Sequence, residues 1–206
     1  MKKTRRLLAL LLAMAMMLAL TVTAGAEEVT TTAAKSEITV IYTNDVHTYI
    51  DKTLSYATVS AMKQDYQKAG KQVLLVDAGD HIQGTAYGGM DEGKTIVQLM
   101  NAAGYDIATL GNHEFDYGMA RALATVEEAK FPYVSCNFYH EKNGVAGDPV
   151  LESYKVFDMN GTKVAFVGIT TPESFTKSTP AYFQDANGKY IYGIAAGKDG
   201  AALYAA

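Results

Sequence analysis

The sequence predicts an α/β fold in which short buried strands alternate with amphipathic helices before a mixed or second sheet. Three observations carry that prediction. Runs rich in β-branched and aromatic residues alternate with segments whose apolar residues recur every three or four positions. Gln72 to Val76 is a nearly continuous apolar run, the pattern of a parallel strand covered on both faces. Later the alternation breaks, where two β-like runs, Tyr154 to Met159 and Lys163 to Ile169, flank Asn160-Gly161, a strong hairpin signal.

The chain opens on Lys2, Lys3, Arg5 and Arg6, then an unbroken apolar segment from Leu7 to Leu20, then Ala24-Gly25-Ala26. This is the build of a secretory signal peptide cleaved near Ala26, with the mature protein expected outside the cytoplasm. The apolar segment is shorter than the roughly 20 residues that span a bilayer, and no cysteine follows it, so no membrane anchor is expected. Residues 27–37 have no periodicity and read as a flexible lead-in.

Ile38 to Thr43 is the first strand. Leu54 to Ala69 reads as a helix with Val59, Met62, Tyr66 and Ala69 on its buried face, closed by Gly70. After the strand Gln72 to Val76, a second helix spans Lys94 to Ala103 and stops at Gly104. Ile107 to Leu110 forms a third strand, and Met119, Leu123 and Val126 mark a third helix ending before Phe131-Pro132. Tyr133 to Phe138 reads as a fourth strand holding Cys136 as a buried residue, and Tyr139 to Pro149 as a loop. Thr170 to Gly193 shows no clear period, and Ala195 to Ala206 resembles the first turns of a helix.

Removing the first 26 residues takes four of the 18 basic side chains and none of the 22 acidic ones, so the formal net charge moves from −4 to −8. Such a surface offers no general attraction to nucleic acid polymers or anionic lipid, and an anionic substrate needs a local source of positive charge. The single cysteine excludes an internal disulfide.

The chemistry gathers after three strands. Asp45 and His47 follow the first, Asp80 the second, and Asn112, His113, Glu114 and Asp116 the third, between Gly111 and Gly118. Residues two apart in an extended chain point to one side, so Asp45 and His47 can share an ion. The Asp80 carboxylate has two oxygens with which to bridge a pair of ions, and Asn112 offers a neutral oxygen. Carboxylate, imidazole and amide suit zinc, manganese, iron or similar divalent ions, and the absence of cysteine ligands argues against a thiolate zinc site. Each piece alone has an ordinary alternative, since Asp-x-His occurs in solvated loops and Gly-Asp in turns; it is their recurrence on three successive strands that points to a site. Glu114 and Phe115 read as structural, the one partnering the turn and the other packing under it. His81 is adjacent to Asp80 and would point the other way if the strand continues, which gives it a packing or supporting role rather than ligation. His140 reads as a surface residue, and the scattered tyrosines as packing.

The stretches YTNDVH (Tyr42 to His47), DAGDHIQGT (Asp77 to Thr85) and LGNHEFDYG (Leu110 to Gly118) resemble the first three motifs of the calcineurin-like metallophosphoesterases. The likeness is to the secreted bacterial 5'-nucleotidases and 2',3'-cyclic-nucleotide 2'-phosphodiesterases, and it extends from about Glu37 to the end of the chain. The resemblance implies a layered α/β/β/α sandwich with mixed sheets, incomplete at the C-terminus, and hydrolysis of a small nucleotide phosphoester by two-metal activation of water. It implies two divalent ions, zinc, manganese or similar, the first on Asp45 and His47, Asp80 bridging, and Asn112 on the second. Asn112 and His113 would meet the substrate phosphate. His113 would be catalytic, stabilising charge or assisting the leaving oxygen, and Asp116 would orient its ring.

The departures carry weight as well. Members of this group have later histidine motifs and a separate nucleoside-gripping domain, whereas no histidine follows His140. The second ion then has only Asp80 and Asn112. The expectation is the N-terminal portion of a catalytic domain, residues 38–206, that holds half a site, binds at most one ion weakly, and lacks the C-terminal part of the same protein. The alternative is a secreted, non-catalytic metal-binding or interaction module on the same scaffold.

Overall fold

The structure, a computed structural model, describes residues 37–195. The expected signal peptide, all but the last residue of the lead-in, and the expected helical turns beyond Ala195 lie outside the described residues.

Strand β1 (Ile38–Thr43) pairs in parallel with β2 (Gln72–Asp77), and β2 with β3 (Ile107–Ala108), in the order β1-β2-β3. The register sets Thr43 opposite Asp77 and Asp77 opposite Ala108, so the three strands end level. The loops that follow therefore leave the sheet side by side at its carboxyl end, where open α/β sheets hold their ligands. β3 is shorter than the expected Ile107 to Leu110, because after Ala108 the chain turns away toward the next loop.

Helix α1 (Tyr56–Lys68) starts where the Ser55 hydroxyl accepts from the Thr58 amide. Its buried face differs from the one the apolar spacing predicts. Tyr56, Val59 and Lys63 are buried, while Met62 and Ala69 are exposed and Tyr66 is half-buried. The reason is polar: the Lys63 ammonium donates to the Gly104 carbonyl and to the Asp106 carboxylate, each at 2.6 Å. Helix α2 (Lys94–Ala103) has the expected bounds, burying Ile96, Val97 and Met100, and α3 (Met119–Glu128) follows a single 3-10 turn at His113–Phe115.

The fourth strand is displaced. Tyr133 and Val134 make only isolated parallel bridges, to Ala108 and Glu152, and Cys136 sits half-buried in a bend rather than in a strand. The ladder begins at β4 (Phe138–Lys142), which forms a hairpin with β5 (Val145–Pro149) through Asn143-Gly144. The expected loop is thus a hairpin whose turn residues both take positive φ, 59° and 76°. β8 (Tyr192–Ile194) pairs antiparallel with the other side of β4. The hairpin at Asn160-Gly161 forms as expected, β6 (Tyr154–Met159) against β7 (Thr162–Val167), in a separate two-stranded sheet. The stretch without clear period contains a helical turn at Ser174–Lys177 and a 3-10 turn at Pro180–Phe183. Phe115, fully buried, stacks against Phe138 and Phe183 and so anchors the loop after β3 in the core.

Candidate metal centre

The loop after β1 is not an extended continuation of the strand. Asp45, His47 and Thr48 have φ of 52°, 47° and 59°. The reasoning by alternation of side chains therefore fails for Asp45 and His47, although the two still meet, with His47 Nε2 3.6 Å from Asp45 Oδ1. What holds this turn is the neighbouring loop: the amides of Asp45 and His47 donate to the carbonyls of Gly79 and Asp80, at 3.2 and 2.9 Å. The buried Thr48 hydroxyl accepts from the Thr85 amide at 2.8 Å. His47 Nδ1 lies 3.0 Å from the Gln83 carbonyl. A carbonyl only accepts, so Nδ1 carries a proton and donates, which fixes the ring and leaves Nε2 as the nitrogen available to a cation.

Asp80, with φ 59°, ends the loop after β2. Its Oδ1 accepts from the His113 amide at 2.7 Å, and its own amide donates to Glu114 at 2.8 Å. Burial raises the Asp80 pKa above the ordinary carboxylate range, the Glu114 charge pushes the same way, and the Asp45 carboxylate adds to it. Such crowding of carboxylates calls for a cation.

His113 and Asp116 come from the loop after β3. Asp116 Oδ2 stands 2.6 Å from His113 Nδ1, which leaves Nε2 directed elsewhere. The rings of His47 and His113 meet edge to face, 4.9 Å apart. One ligand atom each from His47, Asp80 and His113 lie within 4.8 Å of one another, so three strand tips do converge. Asn112 is buried at the same tip, beside them in sequence. Imidazole and carboxylate in this proportion fit a borderline divalent ion such as zinc or manganese. Gly111 has a role other than the one its flexibility suggests: its φ is not positive, but a Cβ there would strike the Asp80 carboxylate. Close approach, not a forbidden backbone angle, requires glycine.

His81 is fully buried and is not among the converging groups, although β2 ends at Asp77 and the positive φ of Asp80 removes the extended chain on which alternation depends. Its Nδ1 lies 2.7 Å from Asp77 and its Nε2 2.8 Å from the Tyr133 hydroxyl. Burial alone would lower its pKa, but the Glu114 and Asp77 carboxylates outweigh burial and raise it to about 9. Glu114, also fully buried, accepts from three backbone amides, which deepens its reading as a turn partner. Sequence reasoning missed Asp77, which also accepts from the Thr43 hydroxyl at 2.5 Å and the Gly79 amide at 2.9 Å. The available signal was a carboxylate closing an otherwise apolar strand, four residues before a histidine. His140 is exposed, as expected, though it lies on β4 beside Tyr192.

Comparison with known proteins agrees with this geometry. A 5'-nucleotidase from the venom of Gloydius brevicauda is 33% identical over 164 residues, covering 72% of this chain and 28% of that protein. The human 5'-nucleotidase is 35% identical over 161 residues, 70% of this chain and 28% of its own. Among solved structures, the NAD nucleotidase of Haemophilus influenzae superposes with a TM-score of 0.65 at 25% identity, covering 81% of this chain and 31% of that one. The chain thus spans under a third of the length of these relatives. Residues 38–191, from the first strand to the edge of the last, match the family model described as calcineurin-like phosphoesterase, and with the mixed α/β architecture this makes the chain a member of that family.

Proposed function

We propose that this chain serves a metal-dependent phosphoester hydrolase acting on nucleotides, as a 5'-nucleotidase or a 2',3'-cyclic-nucleotide phosphodiesterase, outside the cytoplasm. The observation that carries the proposal is the convergence of His47, Asp80 and His113 from three separate strand tips within 4.8 Å. Relatives named 5'-nucleotidase support the substrate class. Those catalytic relatives also weigh against a purely non-catalytic module. Among the described residues no helix is long and apolar enough to cross a membrane.

In this reading Asp45 and His47 would hold one ion, and Asp80 and Asn112 would contribute ligands to a second, with Asp80 shared by both. Divalent ions there supply neutralisation of the phosphoryl oxygens and lower the pKa of water. His113 presents Nε2 to the substrate phosphate while Asp116 fixes the opposite nitrogen at 2.6 Å, holding the ring in one orientation for proton donation or charge stabilisation. Asn112 places a neutral amide beside the same phosphate. Among the described residues the second ion would have Asp80 and Asn112 alone, so the chain should hold at most one ion, weakly, with little turnover.

Metal analysis after dialysis against Mn2+, together with hydrolysis of an aryl phosphate, tests the proposal. One weakly held ion is expected. Its affinity should fall by about 10- to 100-fold in Asp80→Asn, as for other losses at a metal site. His113→Ala should lower whatever hydrolysis remains by about 10²- to 10⁴-fold, the usual worth of a positioned acid. Two tightly held ions with brisk turnover would overturn the half-site reading, and no bound ion would overturn the metal centre.

A further inference from the structure

We infer that Glu114 is the joint that sets the spacing between the two halves of the metal centre, acting as a positioning residue on Asp80 and on the turn from Gly111 to His113. The inference rests on the reading of this site as a metal centre. Parallel pairing between β2 and β3 ends at Asp77 and Ala108, and the last bond across the gap runs from the Thr109 amide to the Asp77 carbonyl at 3.2 Å. Beyond it the loop carrying Asp80 and the loop carrying Asn112 and His113 are no longer tied by a ladder.

The Glu114 carboxylate replaces that tie. Its Oε2 accepts from the amides of Asp80 and Gly111, at 2.8 and 2.6 Å, and its Oε1 from the amide of His81 at 2.9 Å. Two of these donors belong to the loop after β2 and one to the loop after β3. A single side chain with no solvent exposure therefore spans both. From there the constraint passes to the ligands: Asp80, held by its amide, turns its Oδ1 to accept from the His113 amide at 2.7 Å. Packing leaves no slack, since a Cβ on Gly79 would strike the Gly111 backbone, and one on Gly111 the Asp80 carboxylate.

Only a carboxylate of this length fits the role. Three donors need an acceptor with two oxygens and no hydrogen of its own. Glutamine has the shape, but it sets an NH₂ group against at least one amide N–H. Aspartate keeps the charge and is one methylene short of the far loop.

The distinction to be tested is between a joint that positions ligands and a buried group that merely stabilises the fold. The experiment compares Glu114→Gln in the full chain with Val97→Ala, a fully buried position on α2, outside the three loops in sequence, whose truncation destabilises the fold. Two quantities are read: hydrogen exchange of the His113 amide, which bonds to Asp80 and not to Glu114, and Mn2+ affinity from the free-ion paramagnetic resonance signal. In Glu114→Gln, the His113 amide should exchange faster than global unfolding accounts for, and Mn2+ affinity should drop by about 10- to 100-fold. In Val97→Ala neither should change beyond its global loss of stability. Should Glu114→Gln fail to fold, Glu114→Asp carries the same expectations. Mn2+ binding and His113 exchange that match Val97→Ala would overturn this inference and leave the metal centre standing, whereas no Mn2+ binding by the unsubstituted chain would overturn both.

Discussion

His81 sits with no solvent exposure between two carboxylates, Asp77 at 2.7 Å and Glu114 at 3.4 Å, and both ring nitrogens have partners. Its folded pKa of about 9 lies above the ordinary 6.5. A group whose pKa rises on folding contributes stability that is complete below its unfolded value and is lost as pH climbs through the folded one. The metal-free chain should therefore lose on the order of 3 kcal/mol between pH 6.5 and about 9, read as a falling urea midpoint. His81→Gln should be less stable at pH 6.5 and should flatten that slope; a slope unchanged in the variant would show that another group carries it. At this scale the sequence disclosed identities better than geometry. Asp45, His47, Asp80, Asn112, His113 and Asp116 were legible because polar side chains crowded at strand ends make poor packing material. Their arrangement was not, because nothing local announces the positive φ of Asp45, His47 and Asp80, a conformation that Asp and His tolerate without requiring it. Asp77 escaped for the opposite reason, being hidden as the last residue of an apolar strand.

At the scale of elements, α1 shows how one tertiary bond overrides a pattern. Apolar spacing favours a buried Met62, yet Met62 is 41% exposed and Lys63 8%. The Asp106 carboxylate that receives Lys63 also accepts from the Leu75 amide at 2.7 Å, so one interaction ties α1 to β2 and to the turn before β3. Lys63→Met should therefore cost about 1–3 kcal/mol, the worth of hydrogen bonds to a charged group. Met62→Lys should lie within about 0.5 kcal/mol of the unsubstituted chain, as exposed positions do. Chemical denaturation of the two variants decides between this face and the one the spacing predicts, and the reverse order would restore the latter. The two Asn-Gly turns make a related point. Asn160-Gly161 was legible because apolar runs flank it, whereas Asn143-Gly144 joins β4, polar after Phe138 and Tyr139, to the fully exposed β5, and neither shows a strand-like apolar pattern. Turn chemistry alone was sufficient in both, because paired positive φ is needed wherever two strands meet in so tight a loop.

At the scale of the molecule, the parallel sheet and its helices were readable because β2 and β3 are largely buried on both faces, while the later part was less so because much of it is exposed. Tyr154, Val156 and Val167 are 57%, 44% and 60% exposed, and the pairing of Tyr154 with Val167 and of Val156 with Ala165 sets them on one face of the β6-β7 hairpin. Ile169, 49% exposed, lies just beyond. β1 is an edge strand of its sheet, with Tyr42 72% and Val40 43% exposed. An exposed apolar face and a strand edge without a partner among the described residues each favour association in water, since burial returns roughly 25 cal/mol per Å² and an edge offers free backbone donors. The purified chain at micromolar concentration should therefore self-associate and bind a hydrophobic dye. Lysines at Val156 and Val167 should reduce both effects, because two charges on one face cannot be buried together without a partner. They should leave the unfolding midpoint within about 0.5 kcal/mol, because neither side chain is buried. Sedimentation velocity and dye fluorescence read the outcome: an unsubstituted chain that is monomeric and dye-free would mean that this face is covered.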